Sequence, residues 1–111
     1  MARAATTTDV FNAIAERSRR DILVAIADDE LGVGEIVERV GLSQPQVSKH
    51  LGVMRTVDLV RCRTAGRRRL YCVNGAALRP VHEWVRTFEA LWNERLDRLD
   101  DLLVELRGDA R

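Results

Sequence analysis

Cysteine and proline each occur only twice in this 111-residue chain, and aromatic residues occur five times. Two thiols, Cys62 and Cys72, make no disulfide framework, and in a reducing compartment they are expected to be free. No apolar run approaches the ~18 residues that span a bilayer. No apolar signal segment follows Met1 either. The cytoplasm is therefore the expected compartment, with no membrane partner. Paired carboxylates, a nucleophile beside a base and a glycine-rich phosphate loop are all missing, so no catalytic residue, enzymatic activity or cofactor is expected. The length suits one core, and residues 1–111 read as a single domain.

Charge is present but unevenly placed. From Ser43 to Arg69 the bases are Lys49, Arg55, Arg61, Arg63, Arg67, Arg68 and Arg69, against Asp58 alone, a net +6 within a chain of net +1. The flanks, Met1–Leu42 and Glu83–Arg111, each carry five bases and eight acids. One positive segment between two mildly acidic ones points to a localised anionic partner.

Helical periodicity predicts a first helix over Asp9–Glu16 with apolar Val10, Phe11, Ala13 and Ile14, capped by Thr8 or Asp9. Ser18 is expected to cap a second, "RRDILVAIADD". A short helix, Glu35–Val40, should end at Gly41 in a left-handed turn. Ser43 and Pro45 then open another, because a proline in the first turn forgoes no intrahelical bond. Val47, Leu51 and Met54 make its core stripe. Ser43, Gln44, Pro45, Gln46, Ser48, Lys49 and His50 lie outside or beside that stripe, small or hydrogen-bonding, with no acid among them. Such a face suits close approach to a polyanion. After Asp58 the period changes from 3.6 to 2, predicting a hairpin over 59–73 with a basic tip. Val60 and Cys62 alternate against Arg61 and Arg63, the chain turns near Ala65-Gly66, and it returns through Leu70 and Cys72 against Arg69 and Tyr71. From 76 to 106 one long helix is expected. Its apolar stripe includes Val81, Trp84, Val85, Phe88, Trp92, Leu96 and Leu99 and is too long for so small a core to cover, so a second chain should cover it.

A helix-turn-helix over 34–56 followed by a basic hairpin makes a winged helix-turn-helix, a mainly α fold with one small β-hairpin. The second helix fits the major groove, and the arginine hairpin reaches flanking phosphates or the minor groove. "VFNAIAERSRRDIL", "GLSQPQVSKHLGVM" and "DLVRCRTAGRRRLYCV" resemble the opening helices, recognition unit and wing of the ArsR/SmtB-type bacterial transcriptional repressors. That resemblance spans nearly the whole chain. It implies a homodimer through the first and last helices, with Val10, Phe11 and Ile14 joining the C-terminal stripe. It also implies binding to an inverted-repeat operator, autoregulation of the operon, DNA contacts by Ser43, Gln44, Gln46, Ser48, Lys49 and His50, and Arg67 and Arg68 in the wing.

Many members of that family sense metals, yet the thiolate positions correspond here to Gly32 and Gly34. The final helix offers only His82, with Pro80 and Asn93 where further ligands would stand, so no metal site is expected. Cys62 and Cys72 share the parity of the inward hairpin face with Val60 and Leu70. They read either as core fillers or as a thiol switch acting on the wing. Two other readings stay open: a thiol- or ligand-responsive sensor on the same scaffold, and a protein-interaction module using the Trp-bearing helix.

Overall fold

The computed structural model describes residues 9–109, except for the side chains of 93–97, 108 and 109. These residues form two compact units, divided between Arg79 and Pro80.

In the first unit, α1 is a single turn, Val10–Ala13, and the Asp9 carboxylate caps it by accepting from the Asn12 N–H at 2.8 Å. It stops short of the expected Glu16 because arginines from the next helix take its free carbonyls. Arg19 Nε donates to Ala13 O at 2.6 Å, and Arg20 donates to Ile14 O and Ala15 O at 2.9 and 3.0 Å. Helix α2, Arg17–Ala25, begins after Glu16 and makes no side-chain cap, so Ser18 lies inside its first turn rather than capping it. It ends before the acidic run of Asp28, Asp29 and Glu30, whose charges oppose a helix C-terminus.

Helix α3 spans Val33–Val40, two residues longer than its sequence suggests, since Glu35 reaches back to accept the Gly32 N–H at 3.0 Å. Gly41 closes it at φ 73°, a left-handed conformation that glycine adopts without strain. Helix α4, Gln44–Thr56, starts where expected. Ser43 Oγ accepts from the Gln46 N–H at 3.3 Å, and Gln46 Oε1 accepts from the Ser43 N–H at 2.9 Å, a reciprocal capping box. Val47, Leu51 and Met54 are buried, as are Ile22, Ile26, Ile36, Leu59, Val60 and Tyr71, and α4 packs on α2, α3 and β1 to make the core.

Strands β1, Val60–Ala65, and β2, Arg68–Val73, pair antiparallel around Gly66-Arg67. Gly66 has φ 67° and Arg67 is not in the left-handed region, the pattern of a type II′ hairpin. Leu31 adds a one-residue bridge to Tyr71, with N–H···O distances of 2.8 and 3.1 Å in the two directions.

The chain after the hairpin differs from the single helix expected over 76–106. Gly75–Leu78 is a 3₁₀ turn, α5 spans Arg79–Arg86, and α6 spans Glu89–Asp109. The break falls at Thr87-Phe88, where Thr87 N–H bonds Trp84 O at 3.1 Å and Phe88 N–H bonds Val85 O at 3.0 Å, both three residues back. The Thr87 hydroxyl competes for the Glu83 carbonyl at 3.4 Å. Trp84 and Phe88 meet edge to face across this break, with centroids 5.4 Å apart. No described side chain from Pro80 onward is buried. Trp84, Phe88, Leu91, Trp92, Leu99 and Leu102 are all exposed.

Candidate nucleic-acid interface

The turn Gly41-Leu42-Ser43 delivers α4 with one side in the core and the other in solvent. Ser43, Gln44, Pro45, Gln46, Ser48 and Lys49 are exposed, as are Gly52, Arg55 and Thr56 further along. No acid stands between Ser43 and Val57. The capping box occupies Gln46 Oε1, so the amide group left to Gln46 is a donor, suited to acceptor atoms on a base edge. Arg55 extends the same exposed row at helical spacing from Ser48 and Gly52. In the sequence Arg55 stands out only as one charge of the basic segment.

His50 departs from its expected place. Its side chain retains 14% of its exposure, and Nδ1 is buried 3.6 Å from Glu16 Oε2, without a hydrogen bond. Glu16 is drawn instead to Arg19 at 2.8 Å. His50 therefore tucks toward the start of α2 rather than facing outward. Position 50 follows the outermost residues of α4 by one step of ~100°, enough to turn it into the seam between helices.

The wing arginines divide by partner. Arg61 bonds Asp58, Nη2–Oδ2 at 3.0 Å, which holds the Asp58 carboxyl below its ordinary pKa. Arg63 grips both oxygens of Glu30, Nε at 2.9 and 2.7 Å and Nη2 at 2.7 Å, and lowers the Glu30 pKa likewise. Arg68 Nη2 donates to Glu35 Oε1. The Glu35 pKa is depressed first by the Gly32 N–H, then by Arg68 and Arg39. Arg69 stands against the Cys62 sulfur and Tyr71, and their influence raises its pKa. Arg67 occupies the hairpin turn, exposed and without an ion pair among the described residues. Asp58 itself takes φ 59° between α4 and β1, held by Asn74 Nδ2 at 2.8 Å to its carbonyl and 3.2 Å to its carboxylate.

The cysteines are not on one face. Cys62 lies opposite Tyr71, and Cys72 opposite Arg61. Directly opposed residues share a face and the period is two, so Cys62 joins Val60 and Tyr71 on the core side while Cys72 and Leu70 join Arg61 and Arg63 on the other. The two-residue turn decides this parity. Both thiols are free and half-buried. Oxidation of the purified protein is expected to leave the monomer mass without the two-hydrogen loss of an internal disulfide. An intact-mass spectrum after mild oxidation checks it, and a Cys62–Cys72 peptide would contradict the register.

At the expected dimer surface, Phe11 is exposed, Ile14 half-buried and Val10 buried. Val10 is thus a core residue of its own chain, since its side of α1 meets α4. Val81 and Val85 are half-buried, and Trp84, Phe88, Trp92 and Leu99 are exposed. The side chain of Leu96 lies outside the described residues. Among the described residues, no three His, Cys, Asp or Glu side chains are grouped to hold a metal ion. No helix among them is long and apolar enough to cross a membrane.

A two-helix turn unit with an acid-free outer face and a paired-strand wing beside it defines a winged helix-turn-helix regulator. Comparison with known proteins agrees. The profile of the bacterial regulatory proteins of the arsR family matches residues 16–61. The HTH-type transcriptional regulator Rv2034 of Mycobacterium tuberculosis is 40% identical over 99 residues, 89% of each chain. The transcriptional repressor SdpR of Bacillus subtilis is 28% identical over 80 residues, 72% of this chain and 89% of that one. The solution structure of the homodimeric winged helix-turn-helix DNA-binding domain of Mb0332 from Mycobacterium bovis superposes with a TM-score of 0.62. It is 26% identical and covers 80% of each chain. The chain belongs to the arsR family of bacterial regulatory proteins. It is a DNA-binding transcriptional regulator.

Proposed function

We propose that the protein is a cytoplasmic, homodimeric repressor that binds an inverted-repeat operator and autoregulates its operon. Two copies meet through the apolar stripes of α5 and α6, joined by Phe11 and Ile14. Each α4 enters a major groove, where Gln44, Gln46, Ser48 and Lys49 meet base edges and phosphates, with Ser43 and Pro45 at the helix entry. The wing sets Arg67, Arg63 and Arg68 against the flanking strand. The observation that carries this reading is the outer face of α4, exposed along its length and free of acid while its opposite side supplies the core. Phosphate neutralisation then supplies much of the affinity, so binding weakens steeply with salt.

Selection of bound fragments from a random duplex pool tests it. The expected product is a motif with two-fold symmetry and half-sites about one turn of B-form DNA apart. A motif without symmetry, or no enrichment, would end the proposal. Arg67→Ala is expected to weaken binding to every duplex alike and to flatten the salt dependence by about one log–log unit per chain. Gln44→Ala, with no hydrogen bond to lose in the fold, should instead shift the preferred sequence. A monomer on size exclusion that retains no specific duplex would favour a protein-interaction module.

A further inference from the structure

The acids that hold the wing arginines lie outside both the wing and α4. Glu30 precedes the Leu31 bridge and takes the Arg63 guanidinium as a fork, while Glu35 receives the Gly32 N–H and Arg68 on one oxygen. Residues 33 positions apart in sequence are thus paired twice. The approach is close enough that a Cβ at Gly32 would stand 3.3 Å from Arg68 Nη2. All four side chains remain well exposed, between 35% and 60%. Water screens such pairs, so they add little to the fold and can be exchanged for another anion.

We propose that Glu30 and Glu35 are specificity-determining residues, internal stand-ins for phosphate that occupy Arg63 and Arg68 until a correctly seated duplex displaces them. This rests on the reading of the wing as a DNA contact. Attraction to phosphate is independent of sequence, and unrestrained arginines would strengthen binding to every duplex. With Arg63 and Arg68 already satisfied, and Arg61 held by Asp58, the wing meets a random duplex mainly through Arg67 and Arg69. At the operator, base contacts by α4 fix the register and hold the flanking phosphates beside the wing. Exchange from carboxylate to phosphate is then intramolecular and favoured by high effective concentration. The acids therefore depress non-specific binding more than operator binding.

The test uses the full chain with Glu30→Gln, Glu35→Gln and the double substitution, titrated against a labelled random duplex and the selected operator over a salt series. Glutamine keeps the carbonyl oxygen that accepts the Gly32 N–H, so α3 keeps its cap. Each freed arginine is expected to tighten binding to the random duplex by roughly three- to tenfold at low salt and to steepen the log–log slope by about 0.9 per chain. Operator affinity should rise less, so the ratio of the two falls. Asp29→Asn removes the same charge from an exposed acid with no partner among the described residues, and is expected to leave the slope unchanged. In an Arg63→Ala background, Glu30→Gln should add nothing. Wild-type slopes in the glutamine variants would overturn the proposal, as would a gain matched by Asp29→Asn or persisting without Arg63. If the wild type binds no duplex and Arg67→Ala changes nothing, the wing reading itself fails, and the proposal with it.

Discussion

Aspartate introduced at Trp92 and Leu99 is expected to convert the particle from two chains to one and to lower affinity for the two-fold operator by ~10²–10⁴. The residues stand seven apart on α6 and are 51% and 49% exposed, so about half of each remains for a partner to cover. Their apolar area is worth about 25 cal/mol per Å² once covered by a partner. A charge in its place must be desolvated or must hold the surfaces apart. Losing the partner removes the second recognition helix, whose binding is intramolecular once the first is seated. Sedimentation and an operator titration read the two consequences together, while unchanged helical dichroism shows that the chain still folds. A double variant that still sediments as two chains would remove α6 from the interface.

Leu51→Ala acts on the opposite side of the problem. Leu51 keeps 1% of its exposure and lies between Val47 and Met54 on the inner side of α4, facing a core shared with α2, α3 and β1. Truncation leaves a cavity that the neighbouring Ile22, Ile36 and Leu59 cannot wholly fill, at a cost of about 2–5 kcal/mol. For a domain of this size the melting temperature should fall by roughly 10–20 °C. Ser48→Ala, one turn outside the core, should stay within about 0.5 kcal/mol of wild type while weakening DNA binding. Thermal melts and operator titrations of the two variants separate the functions of the two sides of α4. If Ser48→Ala destabilises as much as Leu51→Ala, the outer side is not free.

Much of the recognition unit was legible because its signals are local. Ser43 and Pro45 specify the start of α4 within three residues, Gly41 specifies the end of α3, and Val47, Leu51 and Met54 mark the inner side through helical period alone. The change to period two after Asp58 placed the hairpin. Charge counting brought out the arginines but not their partners. Arg61 has its acid three residues away, whereas Arg63 and Arg68 find theirs 33 residues away, on the segment that the Leu31–Tyr71 bridge draws beside the wing. The faces assigned to Cys62 and Cys72 depended on the number of turn residues, which alternation on either strand leaves open. The helix break at Thr87-Phe88 was hidden because a β-branched hydroxyl and an aromatic continue an apolar period while the backbone changes its hydrogen bonds.

Sequence alone determined the order of elements through the hairpin, the caps at Asp9, Gly41 and Ser43, the inner stripe of α4 and the excess of positive charge, because these follow from preferences acting over one or two turns. Tertiary structure alone decided which arginines are already answered by carboxylates, that His50 turns toward Glu16, that Val10 belongs to the core, and that the thiols stand on opposite sides of the wing. Those outcomes depend on which distant segments the core brings within hydrogen-bonding distance, and no local pattern encodes that distance.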